Sequence, residues 1–319
     1  MHGMQEGGAK TAGHDLCSFK KPQPAICFAA RSVLYFRHAV NFMRRSRRSK
    51  VANLSLAIVL LVSSLLLGGQ SKAVPGELQD YRIPILVYHR FGKTVADSTT
   101  MTVERFEAQL KYLRDNGYNF IPLRELVLNR LTGEPALPKR AVIITADDGH
   151  RSVYVYMLGL ARKYQLPVTL FIYPSAISNA DYALTWEQLR ALKDTGLFDL
   201  QSHSYWHPNF NQEKRRMNSR DYGRFVRMQL VQSKQVLESK LGGTVDLLAW
   251  PFGIFNDELI GKAKEAGYVA GFTTEGRHVT PRDPLMTLPR YMITQAIDMR
   301  GFTDLIAGKR SSSTRGYKP

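Results

Sequence analysis

Val142-Ile143-Ile144-Thr145-Ala146-Asp147-Asp148-Gly149-His150 is the stretch whose reading decides the fold. Its apolar, β-branched residues spell a buried strand, and two adjacent carboxylates stand where that strand runs out into a glycine turn. Neighbours on an extended chain point to opposite faces, so Asp147 and Asp148 are expected to divide the work. One can hold a metal while the other faces a substrate.

Working outward, a second cluster, Ser202-His203-Ser204-Tyr205-Trp206-His207-Pro208, follows another apolar run at Phe198-Asp199-Leu200. Two histidines four apart can converge on one ion from a helical turn or from a strand-to-loop corner, and the spacing leaves both open. Imidazole plus carboxylate suits zinc or a similar divalent first-row ion. Both clusters end an apolar run, which in a barrel or open parallel sheet is the edge where active sites gather. Together they make an Asp-His-His set with a position open for water, the catalytic rather than the structural form of a zinc site.

The flanking pattern is regular. Ile83 to His89 reads as a first buried strand, and Val103 to Asn116 as a helix with Phe106, Leu110 and Leu113 at helical spacing. A further helix covers Leu123 to Leu131. Beyond the Asp-Asp turn come helix Arg151 to Tyr164, strand Pro167 to Ile172, helix Thr185 to Thr195, strand Phe198 to Gln201 and a long amphipathic helix, Arg220 to Leu241. Strand Val245 to Trp250, helix Asp257 to Ala266 and strand Val269 to Phe272 complete the series, and after Ile293 the pattern fades. Strands alternating with helices predict an α/β fold with a parallel sheet and right-handed crossovers.

At this level of detail the chain resembles the polysaccharide deacetylases, the NodB-homology group of carbohydrate esterases. Thr145-Ala146-Asp147-Asp148-Gly149 is similar to their Thr-Phe-Asp-Asp-Gly motif, His203 to Pro208 to their His-Ser/Thr-x-x-His-Pro motif, and Leu248-Ala249-Trp250-Pro251-Phe252-Gly253 to the third. The resemblance spans roughly 83–293. It implies a distorted, incomplete (β/α) barrel, with Asp148, His203 and His207 as ligands of a divalent metal, Zn²⁺ first and Co²⁺ or Ni²⁺ as alternatives. Asp147 becomes the general base, and the tight Pro251-Phe252 turn supplies a main-chain N–H for an oxyanion. Trp206 is a candidate for the sugar-binding groove.

Two departures from the commoner pattern matter. No histidine follows His278, so the closing Leu-x-x-His motif is missing, yet Leu86-Val87-Tyr88-His89 fits it at the other end of the domain. Some members are circularly permuted in this way, which makes His89 the candidate general acid. Ala249 stands where many members carry the arginine that pairs with the base, and Arg290 in Leu288-Pro289-Arg290 is the candidate replacement. The permuted order resembles the exopolysaccharide-modifying branch, so poly-β-1,6-GlcNAc is the first substrate expected, ahead of chitin oligomers and peptidoglycan. Removal of formyl or O-acetyl groups from a lipid-linked or other sugar, or glycan binding without catalysis, are the alternatives.

Charge and cysteine bound the rest. The net charge is +17 over 319 residues, but residues 1–73 hold eleven Lys/Arg against two Asp/Glu and so account for +9 of it. With no basic run interleaved with aromatics in the remainder, nucleic acid is not expected as a partner. Cys17 and Cys27 both lie in that N-terminal segment. Met43 to Lys50 is a basic n-region, Val51 to Gly69 is uncharged and Leu-rich, and Ser71-Lys72-Ala73 offers small residues at the positions a signal peptidase reads, so translation is expected to start at Met43 with cleavage after Ala73. The expected organisation is therefore 1–42 untranslated or disordered, 43–73 a signal peptide or N-terminal membrane anchor, 74–82 a linker, 83–307 the catalytic domain and 308–319 a disordered basic tail. Export follows, to the periplasm, the exterior or the outer side of the inner membrane, with contact to membrane only through such an anchor. The sequence leaves the oligomeric state open.

Overall fold

The computed structural model describes residues 80–309. The expectations for 1–42, 43–73, residues 74–79 of the linker and residues 310–319 lie outside the described residues. In chain order the strands are β1 (Ile85–Tyr88), β2 (Arg90–Gly92), β3 (Thr100–Thr102), β4 (Asn119–Phe120), β5 (Ala141–Ala146), β6 (Val168–Ile172), β7 (Phe198–Ser202), β8 (Leu247–Ala249), β9 (Ala270–Phe272) and β10 (Tyr291–Met292). The α-helices are α1 (Val103–Asp115), α2 (Leu123–Thr132), α3 (Leu158–Tyr164), α4 (Trp186–Asp194), α5 (Phe210–Arg216), α6 (Ser219–Leu241), α7 (Asp257–Glu265) and α8 (Met299–Ile306). Side chains of Thr102, Thr185, Asn209, Asn218, Asn256 and Asp298 accept a backbone N–H at the start of α1, α4, α5, α6, α7 and α8. Each such cap contributes about 1 kcal/mol by satisfying an otherwise orphaned donor.

The sheet runs β10-β1-β5-β6-β7-β8-β9, with β4 added beside β5, and its pairings are parallel. Its two ends approach each other through one segment. Leu288 donates to the Gly271 carbonyl at 2.8 Å and accepts from Thr273 at 2.9 Å, after which Tyr291 and Met292 pair with Leu86 and Val87. A ring closed by so short a splice is the distorted, incomplete (β/α) barrel expected from the sequence.

Alternation along the strands sorts residues into two cores. Leu86, Ile144, Leu170 and Leu248 pack with helix residues such as Leu110, Leu189, Leu230 and Leu259. Ile85, Ile143, Phe171, Leu247 and Phe272 form the second core, with Leu123, Leu126 and Val127 of α2 packed into it. Strand β5 is buried along its whole length, and apart from Thr145 its residues are apolar.

Two local expectations are corrected. The pattern does not end at Ile293, because α8 follows, capped by Asp298 and burying Phe302, Leu305 and Ile306. Two turns are too short to establish a period. The helix expected from Arg151 opens instead as a π-helical turn over Val153–Met157 before α3 begins. Helix α5 and the short parallel pair of β2 with β3 had no periodic signal at all. Among the described residues, no helix is long and apolar enough to cross a membrane.

Candidate active site

The site is assembled at the carboxyl ends of β1, β5 and β7 and from the segment that closes the ring. Tyr88 is in register with Ala146, so His89 and Asp147 leave adjacent strands side by side, and the Asp147 N–H donates to the Tyr88 carbonyl at 2.9 Å. At the next residue the chain turns into the left-handed region, with φ of 74° at Asp148 and 69° at Gly149. Gly149 suits that conformation, and an added Cβ there would meet the Ile177 side chain at 3.2 Å. At Asp148 a side chain tolerates it at a cost of about 1 to 3 kcal/mol.

That turn corrects the expectation that the two carboxylates face apart. With Asp148 no longer extended, both reach the same imidazole: His203 Nε2 lies 3.7 Å from Asp147 Oδ2 and 3.7 Å from Asp148 Oδ1. His207 Nε2 lies 3.8 Å from the same Asp148 oxygen. Asp148, His203 and His207 thus bring one ligand atom each within 4.8 Å of one another. The histidine pair sits on a strand-to-loop corner after β7, not on a helix, with Ser204 and His207 both left-handed at φ of 63° and 62°.

Hydrogen bonding and burial leave the imidazoles able to act as ligands. His203 Nδ1 is 2.8 Å from the Ala249 carbonyl, which only accepts, so that nitrogen carries the proton and Nε2 presents its lone pair. Burial pushes the pKa of His203 down. Burial, reinforced by the neighbouring His203, takes His207 down to about 4. Neutral imidazoles beside a carboxylate are the donor set a divalent first-row ion takes, so the residues present fit such an ion.

Arg290 comes from the closing segment and is fully buried. It grips Asp147 through two parallel bonds, Nη1 to Oδ1 at 2.8 Å and Nη2 to Oδ2 at 2.7 Å. Its remaining donors reach the Thr145 hydroxyl at 3.2 Å and the Thr273 carbonyl at 3.1 Å. Burial alone would raise the Asp147 pKa, but the guanidinium, with smaller help from His203 and His89, outweighs it and holds the carboxyl well below its ordinary range. The residue put forward to replace the missing arginine therefore touches the residue put forward as base. Thr145, which orients that arginine and donates to the Leu86 carbonyl at 3.1 Å, escaped the sequence reading. It opens the Asp-Asp-Gly motif in the sequence, yet its contact with Arg290 could not be read there.

A cavity of about 770 Å³ opens over this centre, lined by His89, Asp147, Asp148, His203, His207 and Phe252 among others. Phe252 is left-handed at φ of 57°, half-exposed, with its ring centre 4.6 Å from that of His207. The turn around it closes by Gly253 donating to Trp250 and Ile254 donating to Pro251, and the Phe252 N–H has no protein acceptor among the described residues. Pro251 is buried and shapes the turn without lining the cavity.

Trp206 is not brought to the cavity, contrary to the groove expectation. The corner turns its indole outward, half-exposed, against Phe225 of α6 at 5.8 Å between ring centres. Trp250, by contrast, lines the cavity and is fixed by Nε1 donating to the Met286 carbonyl at 2.8 Å.

Comparison with known proteins agrees with this geometry. Residues 134–271 match the polysaccharide deacetylase family. A poly-β-1,6-N-acetyl-D-glucosamine N-deacetylase of Staphylococcus aureus is 25% identical over 199 residues, covering 61% of this chain and 68% of the relative. Among solved structures, the deacetylase PplD of Streptococcus pyogenes, determined with acetate, superposes with a TM-score of 0.64 at 22% identity, covering 72% of this chain and 99% of that one. IcaB from Ammonifex degensii superposes with a TM-score of 0.59 at 21% identity, covering 71% and 96%. The matched segment carries the Asp-Asp turn, the histidine corner and the Trp250 to Gly253 turn on the expected barrel, and the chain therefore carries a polysaccharide deacetylase domain over the matched residues.

Proposed function

We propose that this protein is an exported, metal-dependent hydrolase that removes N-acetyl groups from a GlcNAc polymer, with poly-β-1,6-GlcNAc as its substrate. The observation that carries the reading is the buried Arg290–Asp147 pair standing against the Asp148, His203 and His207 set in one cavity. The name of the Staphylococcus aureus relative supports the choice of polymer. The basic run at 44–50, followed by the apolar 51–69 and Ser71-Lys72-Ala73, supports export.

Asp148, His203 and His207 would hold the divalent ion. When bound, such an ion lowers the pKa of a water from about 15.7 towards about 7 and polarises an acyl oxygen. Asp147 then accepts the proton of the attacking water. A carboxylate held so low by Arg290 is ionised at any working pH but pulls weakly on a proton, so it serves only where the water is already acidified. Because Arg290 occupies both oxygens from one side, Asp147 cannot rotate, and the lone pair it keeps points where the side-chain contacts hold it.

The Phe252 N–H is the donor for the oxygen that becomes negative as water adds to the acyl carbon. His89, leaving β1 beside Asp147, gives a proton to the departing nitrogen as the C–N bond breaks. One water is consumed, acetate leaves, and the free amine stays on the polymer. The test is acetate release from poly-β-1,6-GlcNAc by the purified protein supplied with Zn²⁺, beside a chelated sample and Asp147→Asn. Release should be lost in both controls, the substitution alone removing about 10²- to 10⁴-fold. Release that persists in Asp147→Asn would remove Asp147 as the base, and none from the wild type would exclude this substrate.

A further inference from the structure

The corner that carries His203 and His207 is held only in part by its own hydrogen bonds, Ser204 N–H to Ser202 Oγ and His207 N–H to Ser204 Oγ. Two of its non-glycine residues, Ser204 and His207, are left-handed, each at a cost of about 1 to 3 kcal/mol. The N–H groups of the two residues between, Tyr205 and Trp206, close no turn of their own. Both donate to one side-chain oxygen, Gln229 Oε1 on α6, at 3.2 and 3.0 Å.

Gln229 is fully buried on the face of α6 that otherwise presents Tyr222, Phe225, Val226, Leu230 and Leu237 to the core. A buried amide there is costly unless its bonds are made. One turn further along the same face stands a second fully buried polar residue, Ser233, whose hydroxyl lies 2.8 Å from Ser202 Oγ. Ser202 Oγ accepts the Ser204 N–H at 3.2 Å and has the Tyr268 hydroxyl at 2.8 Å, while Ser204 Oγ accepts the His207 N–H at 3.2 Å. Every polar contact that α6 makes with this corner falls on a residue from 202 to 206, which is the span that separates or adjoins the two imidazoles.

We propose that Gln229 and Ser233 are positioning residues for the metal site, holding the corner between His203 and His207 so that both Nε2 atoms meet Asp148. The pair stands four residues apart on one helix, and its contacts add to the backbone bonds from His203 to the Ile172 carbonyl at 2.7 Å and from Ser175 to the Tyr205 carbonyl at 3.1 Å. Gln229 acts through its acceptor oxygen; its amide nitrogen reaches only the Met228 sulfur at 3.8 Å. The proposal rests on reading Asp148, His203 and His207 as ligands.

The experiment is titration of the metal-free full-length protein with Zn²⁺ and Co²⁺, reading the dissociation constant and the Co²⁺ absorption spectrum without any substrate. Gln229→Met keeps the volume and removes the acceptor; its dissociation constant should rise about 10- to 100-fold, with an altered Co²⁺ spectrum. Gln229→Glu keeps an oxygen in the same place and should bind within a few-fold of the wild type. Ser233→Ala removes a single contact, should raise the constant less, and carries the test if Gln229→Met does not fold. A folded Gln229→Met, or failing that Ser233→Ala, with wild-type affinity and spectrum overturns the proposal. A wild-type protein that takes up no ion at all overturns the ligand reading instead.

Discussion

At the scale of single residues, the Asp147–Arg290 contact is where structure and chemistry meet most closely. Both side chains are almost wholly shielded, with 0% and 3% of the guanidinium and carboxylate side chains exposed. The value of such a pair is not read from its Coulomb attraction, because desolvating two charges offsets much of it. What is large is the penalty for leaving one behind. Arg290→Met should therefore destabilise the protein by about 3 to 5 kcal/mol in urea unfolding, since Asp147 is then buried without a partner. The double variant Asp147→Asn with Arg290→Met should recover part of that loss, and strictly additive effects would show that the two do not couple. Asp147, Asp148 and the histidines were legible in sequence because each sits in a short string with a turn residue or proline fixing its place. Arg290 was legible only through the arginine missing at Ala249. The roles of Thr145 and Gln229 could not be read, because a polar residue inside an apolar face says that it has a partner without saying where.

Among the elements, those that follow from a period longer than two turns were readable, and those fixed by a single contact were not. Helix α6 spans 23 residues, and its apolar stripe gave it away. The closing strand β10 has two residues and is held by its neighbours alone. Strand β9 shows how tight this edge is. Gly271 is flanked so closely that a Cβ would stand 2.3 Å from the Met286 carbonyl oxygen and 2.7 Å from Trp250 Nε1. The carbonyl belongs to the segment that leads back to Leu288, and the indole to the residue preceding the Phe252 turn. One methyl group would thus part the ring closure and unseat the Trp250 to Met286 bond together. Gly271→Ala is expected to cost about 1 to 3 kcal/mol in urea unfolding and to lower acetate release by displacing the Phe252 N–H. Wild-type stability with wild-type turnover would mean that β9 shifts freely, and that the closure is looser than these distances require.

For the molecule as a whole, the site doubles as a fastener. Its members come from chain segments that are distant in sequence: His89 after β1, the Asp-Asp turn after β5, the histidine corner after β7, and Arg290 just before β10. Sequence alone could align these motifs but could not show that the arginine spans from the closing segment to the centre of the sheet, because that follows only once the ring is closed. An ion taken up by Asp148, His203 and His207 ties β5 to β7 across β6, and it binds the folded ring in preference to the unfolded chain, where these ligands do not converge. Linkage then requires that stability rise with free ion, by about 2.7 kcal/mol at a hundredfold excess over the dissociation constant. The melting temperature of the metal-free protein should climb with added Zn²⁺ and fall again on chelation, and His207→Ala should abolish the climb. Titration curves with no dependence on ion would mean that the three side chains converge without binding. That outcome would break the link between ring closure and catalysis while leaving the barrel itself, which rests on its two apolar cores, intact.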